Sequence, residues 1–364
     1  MTWNSGNLIQ SNGAPKSGGS PTSVEVQRER TLHVFYRAPV NNTAGADLVE
    51  LWWGGAEVPN WGYITRGDGI PPADPYGDPT CHVLSSQLHV IYRSFENHLV
   101  DLRWTGSESP VPHDLTTTSG QPVDAAGDPI SHVVEKDGIQ AVLYPNMNSH
   151  IIDLSFSDAS DPLPRDLVAE SSGLLTSGKP ASHVLADGSQ HLFYLACGHI
   201  IELAWQGSDV PQVRDLSLLA VASGGAPEAA LGPVSHITSD GKQHVFYTSS
   251  FGNIVELSWH GTDTPQVRDL NLPNDGSPAV ASRLTSYAFD HDGTQHLFYI
   301  GNTDHPVELS FTDTGPAQVT DLTQEFGVPI GQSNLGPASL VFSKEQTQHV
   351  FYTTPDGAIV ELWR

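Results

Sequence analysis

The sequence has few groups that could cross-link the chain or attract anions. Of its 364 residues only two are cysteine, and 16 basic residues stand against 41 acidic ones, for a formal net charge of −25. Such an excess of negative charge repels nucleic-acid phosphates and anionic lipid headgroups. We therefore expect no nucleic-acid partner.

Signals for membrane insertion and export are also missing. No stretch approaches the roughly 18 consecutive apolar residues of a membrane-spanning helix. The first residues lack the basic start, the apolar stretch and the small-residue cleavage site of a signal peptide. We expect a soluble protein without a membrane span, either cytoplasmic or released by a non-classical route.

Sequence motifs of several enzyme classes are absent as well. There is no Gly-x-Ser-x-Gly elbow, His-Glu-x-x-His helix, phosphate-binding loop or dinucleotide-binding glycine motif. Cys81 and Cys197 are far apart in the chain and form no Cys-x-x-Cys motif, so reduced thiols are favoured over a disulfide bridge. We expect no cofactor.

The chain contains one sequence motif in seven copies. The segment QHVFYTSSFGNIVELSW, residues 243–259 with its anchor at position 244, has counterparts anchored at positions 33, 89, 141, 191, 296 and 349. Successive copies therefore lie 50 to 56 residues apart. A regular period of about fifty residues indicates a repeat architecture.

Each copy consists of short β-rich segments bounded by Gly, Asp, Asn or Pro. Four strands per repeat are typical of a propeller blade, and radial stacking of blades buries both apolar faces of each sheet. The sequence thus predicts an all-β fold: a seven-bladed β-propeller of four-stranded antiparallel blades, in a single domain over residues 1–364. Because the last copy stops after its third strand, we expect an N-terminal strand to complete that blade and close the ring.

In six copies a histidine begins the second predicted strand and a carboxylate lies near the end of the third. The third copy has Ala141 in place of the histidine but keeps the acid as Asp153. If Phe246 pairs with Ile254, alternation of side chains places His244 opposite Glu256 on one face of the sheet. The six pairs are His33/Glu50, His89/Asp101, His191/Glu202, His244/Glu256, His296/Glu308 and His349/Glu361.

Two functions are open to these pairs. They can lock each hairpin by satisfying polar groups that would be costly to bury alone. Alternatively, they can present a donor and an acceptor to the hydroxyl groups of a carbohydrate at each blade junction. The aromatic residues that end the third strands point away from the pairs, and we expect them to pack between blades: Trp53, Trp104, Phe156, Trp205, Trp259 and Phe311.

The hairpin, an apolar strand of the form x-Val-x-Tyr, a turn and then Ile-x-Glu, resembles the fungal fucose-specific lectin family. The resemblance implies a β-propeller with sugar sites between adjacent blades, where an arginine on the second strand and a glutamate on the third bind fucose beside a Trp or Tyr. Here histidine takes the arginine position, and seven blades exceed the six usual for that family. The glutamate position corresponds to the acids of the six pairs and to Asp153.

We therefore predict a multivalent lectin that binds glycans or a small-molecule ligand, with a fucose-like or other neutral sugar held between blades by the His/carboxylate pairs. A non-enzymatic function is favoured.

A second set of polar residues occupies the innermost predicted strand of successive copies. Its members are His82, His132, His183, His236 and Tyr287, and the corresponding residues of two other copies are Ser23 and Leu340. Residues of an innermost strand can face the central channel. They could line a water-filled channel, which is favoured, or a ligand pocket; a metal site is disfavoured because equivalent positions around seven blades are too far apart.

The alternative function follows from the breaks in the repeat. A cofactor-free lyase, isomerase or cycloaddition catalyst of secondary metabolism would concentrate its chemistry in one pocket at the central channel. The loop from Ala38 to Asp47 and the unusual segment from Trp52 to Tyr63 could mark such a pocket.

An Asp-Leu dipeptide also recurs after the third strand. Its aspartates lack the Asp-x-Asp-x-Gly context of a calcium loop, so we expect local ion pairs on a solvated outer strand rather than a metal site. The aspartates are Asp114, Asp166, Asp215, Asp269 and Asp321.

Overall fold

The architecture was obtained as a computed structural model. It describes residues 2–10, 12–39, 45–54, 58–106, 108–119, 124–157, 160–220, 225–270, 278–289, 292–343 and 345–364. Seven four-stranded antiparallel sheets form a ring, which confirms the predicted seven-bladed β-propeller. The innermost strand of each blade contacts those of the blades before and after it, and the last contacts the first.

The strands are short, and the innermost strand comes first within blades I to VI. In chain order they are β1 (Asn4–Asn7), β2 (Thr22–Val26), β3 (Thr31–Arg37), β4 (Leu48–Trp53), β5 (Asn60–Tyr63), β6 (Thr80–Leu84), β7 (Gln87–Arg93), β8 (Leu99–Trp104), β9 (Val111–Asp114), β10 (Ile130–Val134), β11 (Ile139–Pro145), β12 (Ile151–Phe156), β13 (Leu163–Asp166), β14 (Ala181–Val184), β15 (Gln190–Ala196), β16 (His199–Trp205), β17 (Gln212–Asp215), β18 (Ala229–Ile237), β19 (Gln243–Ser249), β20 (Ile254–Trp259), β21 (Gln266–Asp269), β22 (Thr285–Phe289), β23 (Thr294–Ile300), β24 (Pro306–Phe311), β25 (Gln318–Asp321), β26 (Ala338–Phe342), β27 (Thr347–Thr353) and β28 (Ile359–Trp363).

The blades follow this order. Blade I comprises β2 to β5, blade II β6 to β9, blade III β10 to β13, blade IV β14 to β17, blade V β18 to β21, and blade VI β22 to β25. Within the described residues, short helices follow four outer strands, and one 3₁₀ turn lies at Glu135–Asp137. The helices are α1 (Leu115–Thr118), α2 (Leu167–Ser171), α3 (Leu216–Leu219) and α4 (Leu322–Phe326). None of the helices in these ranges is long and apolar enough to cross a membrane.

Blade VII joins the two ends of the chain. Its sheet contains β26, β27 and β28, and β1 supplies the outer strand, with Asn4 opposite Trp363. This arrangement confirms the predicted N-terminal closure. Just before β1, the Trp3 ring packs edge-on against Phe298 of blade VI at a centroid distance of 5.7 Å.

The core consists of apolar layers between neighbouring blades. A large aromatic side chain from the third strand of one blade packs edge-on against the second-strand phenylalanine of the blade before it. Trp104 meets Phe35 with ring centroids 6.0 Å apart, and Trp259 meets Phe193 at 5.9 Å. Burying such a side chain contributes roughly 1.5–3 kcal/mol of stability. These aromatic residues pack between blades, as alternation predicts.

Both cysteines are free thiols. Cys81 is partly buried on β6, whereas Cys197 is exposed in the turn between β15 and β16. The absence of a bridge agrees with the prediction from their spacing.

Candidate functional site

All six predicted His/carboxylate pairs form in the structure. In each, the histidine Nδ1 lies within hydrogen-bonding distance of a carboxylate oxygen. The separations are 2.7 Å for His33/Glu50, 3.0 Å for His89/Asp101, 2.7 Å for His191/Glu202, 2.6 Å for His244/Glu256, 2.8 Å for His296/Glu308 and 2.7 Å for His349/Glu361.

The expected strand register was wrong by two residues. Phe246, not His244, lies opposite Glu256, and His244 faces Ser258. The turn is centred one residue later than expected: Ser249 N–H donates to the Asn253 carbonyl, and Gly252 adopts a φ of 81° that favours glycine. Because a shift of two keeps every side chain on its own face, the pair still meets along the diagonal.

The pairs are buried, and in most of them both ring nitrogens of the imidazole have a polar contact. His244 is 0% exposed and Glu256 only 2%. In five of the six pairs the second ring nitrogen, Nε2, contacts a hydroxyl group near the start of the same hairpin. These hydroxyls belong to Thr31, Ser189, Thr238, Thr294 and Thr347, at 2.7 to 3.4 Å. The histidine therefore orients the carboxylate from within the blade.

Blade III shows what happens without the histidine. Asp153 is buried, Ser155 donates to its Oδ1 at 2.8 Å, and its Oδ2 has no partner among the described residues. Burial raises the pKa of Asp153 to about 6. For Asp101, burial also acts to raise the pKa, but hydrogen bonds and charge from His89 and Arg103 outweigh it and lower the pKa.

A third partner of the carboxylate, an arginine on the outer strand, was not predicted from the sequence. Arg268 lies directly opposite Glu256, and its Nε donates to Glu256 Oε2 at 2.6 Å. Arg214 takes the same place opposite Glu202 in blade IV, with Nη1 and Oε2 3.1 Å apart. Arg165 stands opposite Asp153 in blade III. The recurring Val-Arg-Asp and Pro-Arg-Asp triplets of the outer strands were the available signal.

The arginine reaches from one blade to the next. The Arg268 Nη1 donates to the carbonyls of Thr312, Asp313 and Gly315 in blade VI, at 3.1 to 3.2 Å. Its guanidinium lies over the Phe311 ring, 4.9 Å from the centroid. The crevice between blades V and VI thus joins a carboxylate, a guanidinium and an aromatic ring.

Two crevices have a tryptophan where others have an arginine. Gly62 lies opposite Glu50 in blade I, and Gly6 lies opposite Glu361 in blade VII. The partly exposed rings of Trp52 and Trp363 lie against these glycines, where an added Cβ would be 3.7 Å and 3.3 Å away. Each tryptophan is two residues beyond its glutamate, so ring and carboxylate share a face.

The inner-strand histidines lie between blades rather than on the wall of the central cavity. His82 Nε2 contacts Gln140 Oε1 of the next blade at 2.6 Å, and its Nδ1 contacts Ser131 Oγ at 2.8 Å. The corresponding contacts to glutamine are His132 to Gln190 at 2.9 Å, His183 to Gln243 at 3.0 Å, His236 to Gln295 at 2.9 Å and Tyr287 to Gln348 at 2.8 Å. In blade I the equivalent residue is Val24, which corrects the assignment to Ser23.

Burial keeps these histidines neutral. It lowers the pKa of His82 and His132 to about 4, and that of His183 and His236 to about 3. The described residues contain no group of three or more His, Cys, Asp and Glu side chains that could hold a metal ion.

The Asp-Leu aspartates start helices. Four of them cap α1 to α4 by accepting a backbone N–H, and each also bonds a histidine at the start of the third strand. The separations are 2.8 Å for His98/Asp114, and 2.7 Å for His150/Asp166, His199/Asp215 and His305/Asp321. Asp269 ends β21 without a helix in the described residues.

A cavity of about 500 Å³ lies at the centre of the ring. The first residues of the inner strands and the loops that lead into them form its walls, and small hydroxyl side chains are common there. Residues 40–44 and 55–57, which belong to the two segments predicted to mark a single pocket, lie outside the described residues.

No family model matches the chain, and no curated protein matches it in sequence. Among solved structures, the BP39L lectin from Burkholderia pseudomallei is 13% identical, with a TM-score of 0.68 over 96% of each chain. The fucose-specific lectin from Aleuria aurantia is 12% identical, with a TM-score of 0.52 over 84% of this chain and 96% of that one. A mutant of that lectin in complex with Fucα1-6GlcNAc is 13% identical, with a TM-score of 0.53 and the same coverage. At these identities the similarity establishes the fold.

Proposed function

We propose that the chain is a multivalent carbohydrate-binding lectin whose sugar sites lie in the crevices between adjacent blades, at the His/carboxylate pairs. The observation that carries the proposal is the recurrence of one carboxylate at one register position in all seven blades. The fold similarity to lectins over almost the whole chain supports it.

The carboxylate is the acceptor in this proposal, and the histidine holds it in place. A carboxylate has about four lone-pair positions, of which the histidine and arginine use only some. In the crevice between blades V and VI, the Arg268 side chain is 26% exposed and adds positive charge beside Glu256. In this proposal the histidine orients the carboxylate, and in blades III to V an outer-strand arginine supplies the positive charge that the fungal fucose-specific lectins have at the histidine position.

Crevices with tryptophan suit the apolar face of a sugar. Trp52 beside Glu50, and Trp363 beside Glu361, combine a partly exposed aromatic ring with an acceptor. Stacking of sugar C–H groups on the ring and hydrogen bonds to the carboxylate are complementary. With a net charge of −25 the protein repels acidic sugars, so a fucose-like or other neutral sugar is the proposed ligand.

Each site alone is expected to be weak. A monosaccharide buries little area, and the cost of immobilising it offsets most of the contacts. Several sites on one ring raise the apparent affinity for multivalent glycans by avidity.

A glycan array with the labelled full chain tests the proposal, followed by calorimetric titration with the best monosaccharide. We expect binding to neutral glycans, and Glu256→Gln should remove one site's share of the stoichiometry because an acceptor becomes a part donor. Glu96→Gln, at the exposed turn between β7 and β8, is the control and should leave stoichiometry unchanged. An array without binding at high protein concentration would exclude the lectin function, and unchanged stoichiometry in Glu256→Gln would exclude this crevice as a site.

A further inference from the structure

Seven residues, one from each blade, form a ring at one end of the central cavity. Each lies two residues before the point at which the inner strand begins to pair regularly with the second strand of its blade. We call these residues the mouth ring. They are Ser20, Asp78, Asp128, Lys179, Gly232, Arg283 and Gly336, in blades I to VII. Unlike the strands, this ring does not repeat one residue type, so it distinguishes one side of the cavity from the other.

From blade VII to blade III the mouth ring is closed by hydrogen bonds that run from blade to blade. Ser20 Oγ accepts from the N–H of Gly336 at 3.1 Å, and Asp78 Oδ1 accepts from the N–H of Ser20 at 3.0 Å. Asp128 Oδ1 then accepts from the N–H of Asp78 at 3.1 Å. In this arc blades I, II and III each present an acceptor side chain to the preceding blade.

Acceptors are missing from the rest of the ring. Blades IV and VI present Lys179 and Arg283, which can only donate, and Gly232 between them has no side chain. An added Cβ at Gly232 would lie 2.7 Å from the Lys179 carbonyl, so the backbones are too close for a larger residue there. Arg283 reaches across the ring, and its Nη1 donates to Asp128 Oδ2 at 2.8 Å.

Lys179 is partly buried, and its ammonium group makes no hydrogen bond or ion pair with the residues that the structure describes. Burial lowers the pKa of its ammonium group, against the opposing effect of Asp128 and Asp78. Burial also raises the pKa of Asp78, with repulsion from Asp128 adding to it. A partly desolvated ammonium without a partner is stabilised by any anion that can approach it.

The cavity next to Lys179 has an apolar side. Ile130, Leu195, Leu231 and Val234 line it together with Lys179 and Arg283. Its volume of about 500 Å³ is within the range of small-molecule sites. Charged donors and an aliphatic wall therefore face the same space.

We propose that the mouth ring binds a small aliphatic monocarboxylate. The carboxylate oxygens accept from Lys179 and from the free edge of Arg283, whose side chain is 48% exposed, and so supply the acceptor that blades IV to VI lack. The hydrocarbon chain lies on the apolar wall formed by blades III to V. A dianion such as phosphate is disfavoured because its repulsion from the nearby Asp78 and Asp128 is about twice that of a monoanion.

This site is separate from the proposed sugar sites, which lie in the crevices between blades. Its residues could not be found from the repeat because they belong to loops, where the copies differ most. The sequence offers only the triplets Gly-Asp-Pro, Gly-Asp-Pro and Gly-Lys-Pro at 77–79, 127–129 and 178–180, in which the charge changes sign.

Calorimetric titration of the full chain with sodium hexanoate tests the proposal, with hexanol and hexylamine as shape-matched controls. We expect saturable binding of hexanoate with a Kd of about 1 mM, weaker binding of acetate and phosphate, and none of hexylamine. Lys179→Met should weaken hexanoate binding at least about tenfold, whereas Lys179→Arg keeps a charge and retains most of it. Lys136→Met, which removes an exposed lysine at the turn between β10 and β11, should have no effect.

The pH dependence provides a second measurement, since raising the pH deprotonates Lys179 and should weaken hexanoate binding. Absence of saturable hexanoate binding, equal binding of hexylamine, or wild-type affinity in a folded Lys179→Met variant would overturn the proposal. Should Lys179→Met not fold, an unchanged affinity in Arg283→Gln together with a flat pH profile would overturn it. Glycan binding is expected to be unaffected by Lys179→Arg, so failure of one proposal leaves the other intact.

Discussion

A buried carboxylate with and without its histidine illustrates how single side chains set the stability of the blades. Asp101 has His89 and Arg103 as partners, and its pKa is lowered. Asp153 lacks the histidine, and burial raises its pKa to about 6. The two acids occupy equivalent positions, and the opposite directions of their pKa shifts follow from the partners that Asp153 lacks.

We predict that Asp153→Asn stabilises the protein above pH 6. The folded-state pKa of about 6 exceeds the unfolded value of about 3.9, so ionisation costs the folded state up to about 3 kcal/mol at pH 8. The buried amide N–H of the new asparagine has no partner, which costs about 1–2 kcal/mol and offsets part of the stability gained by removing the charge. Urea unfolding should show a net increase of about 1 kcal/mol at pH 8 that shrinks below pH 6 and becomes a net decrease of about 1 kcal/mol at pH 4, because the ionisation gain disappears while the cost of the amide remains.

Asp101→Asn is the matched comparison. It leaves His89 and Arg103 without a charged partner in a buried site, and should lower the free energy of unfolding by about 3–5 kcal/mol at pH 8. Equal effects of the two substitutions would show that the partners do not matter.

Residue-level features were only partly predictable from the sequence. Strand alternation places His244 and Glu256 on one face whatever the register, so their contact could be predicted. The register itself depends on the turn around Gly252, and the role of Arg268 depends on how the outer strand pairs. Neither the register nor the role of Arg268 can be predicted from the alternation of side chains within a single strand.

At the level of strands, one hydrogen bond between neighbouring blades recurs, and we call it the joint. The inner-strand histidine of one blade bonds the glutamine that begins or lies near the start of the second strand in the next, as in His132 and Gln190. The sequence shows both residues at regular spacing, but the partner is about 58 residues away, in the next copy. A pattern within one copy cannot reveal a contact between copies, and so the histidines were expected to face the channel.

Acid should weaken these joints. An unfolded histidine protonates near pH 6.5, whereas burial keeps folded His132 neutral down to about pH 4, so the unfolded state binds more protons in this range and stability falls as pH falls. From pH 7 to pH 5 each such histidine should cost about 2 kcal/mol. Denaturant unfolding at both pH values should show a smaller loss for His132→Gln than for the wild type.

The control for this measurement is His260→Gln. His260 is exposed beside Asp240, and its replacement should leave the acid-induced loss as in the wild type. An equal loss in His132→Gln and the wild type would mean that other groups cause the acid sensitivity.

As a complete ring, the molecule depends on closure by β1. Trp3 donates to Glu308 Oε2 at 2.9 Å, and Arg364 lies over the Trp3 ring at 4.3 Å and pairs with Glu308 at 2.6 Å, so these two residues join blade VII to blade VI. The seven-fold architecture was predictable because the repeat period covers the chain. The composition of the mouth ring was not, because it lies outside the repeated strands.

We predict that deletion of residues 1–7 destabilises the whole ring rather than blade VII alone. The unpaired edge of β28 and the loss of buried Trp3 should lower the melting temperature by several degrees and promote association through the free edge. Light scattering and thermal unfolding of the truncated chain provide the measurement. If Trp3→Ala lowers the melting temperature as much as the deletion does, the Trp3 side chain and not the β1 strand closes the ring.

The antiparallel pairing of Asn4 with Trp363 has a further consequence for engineering. Because the described start and end of the chain lie side by side on the outer edge of one blade, a short linker from Arg364 to Thr2 gives a continuous polypeptide. Circular permutants can then be opened at a different blade junction. This moves the attachment point for a fused reporter around the circumference of the ring and leaves the inner strands and the central cavity unchanged.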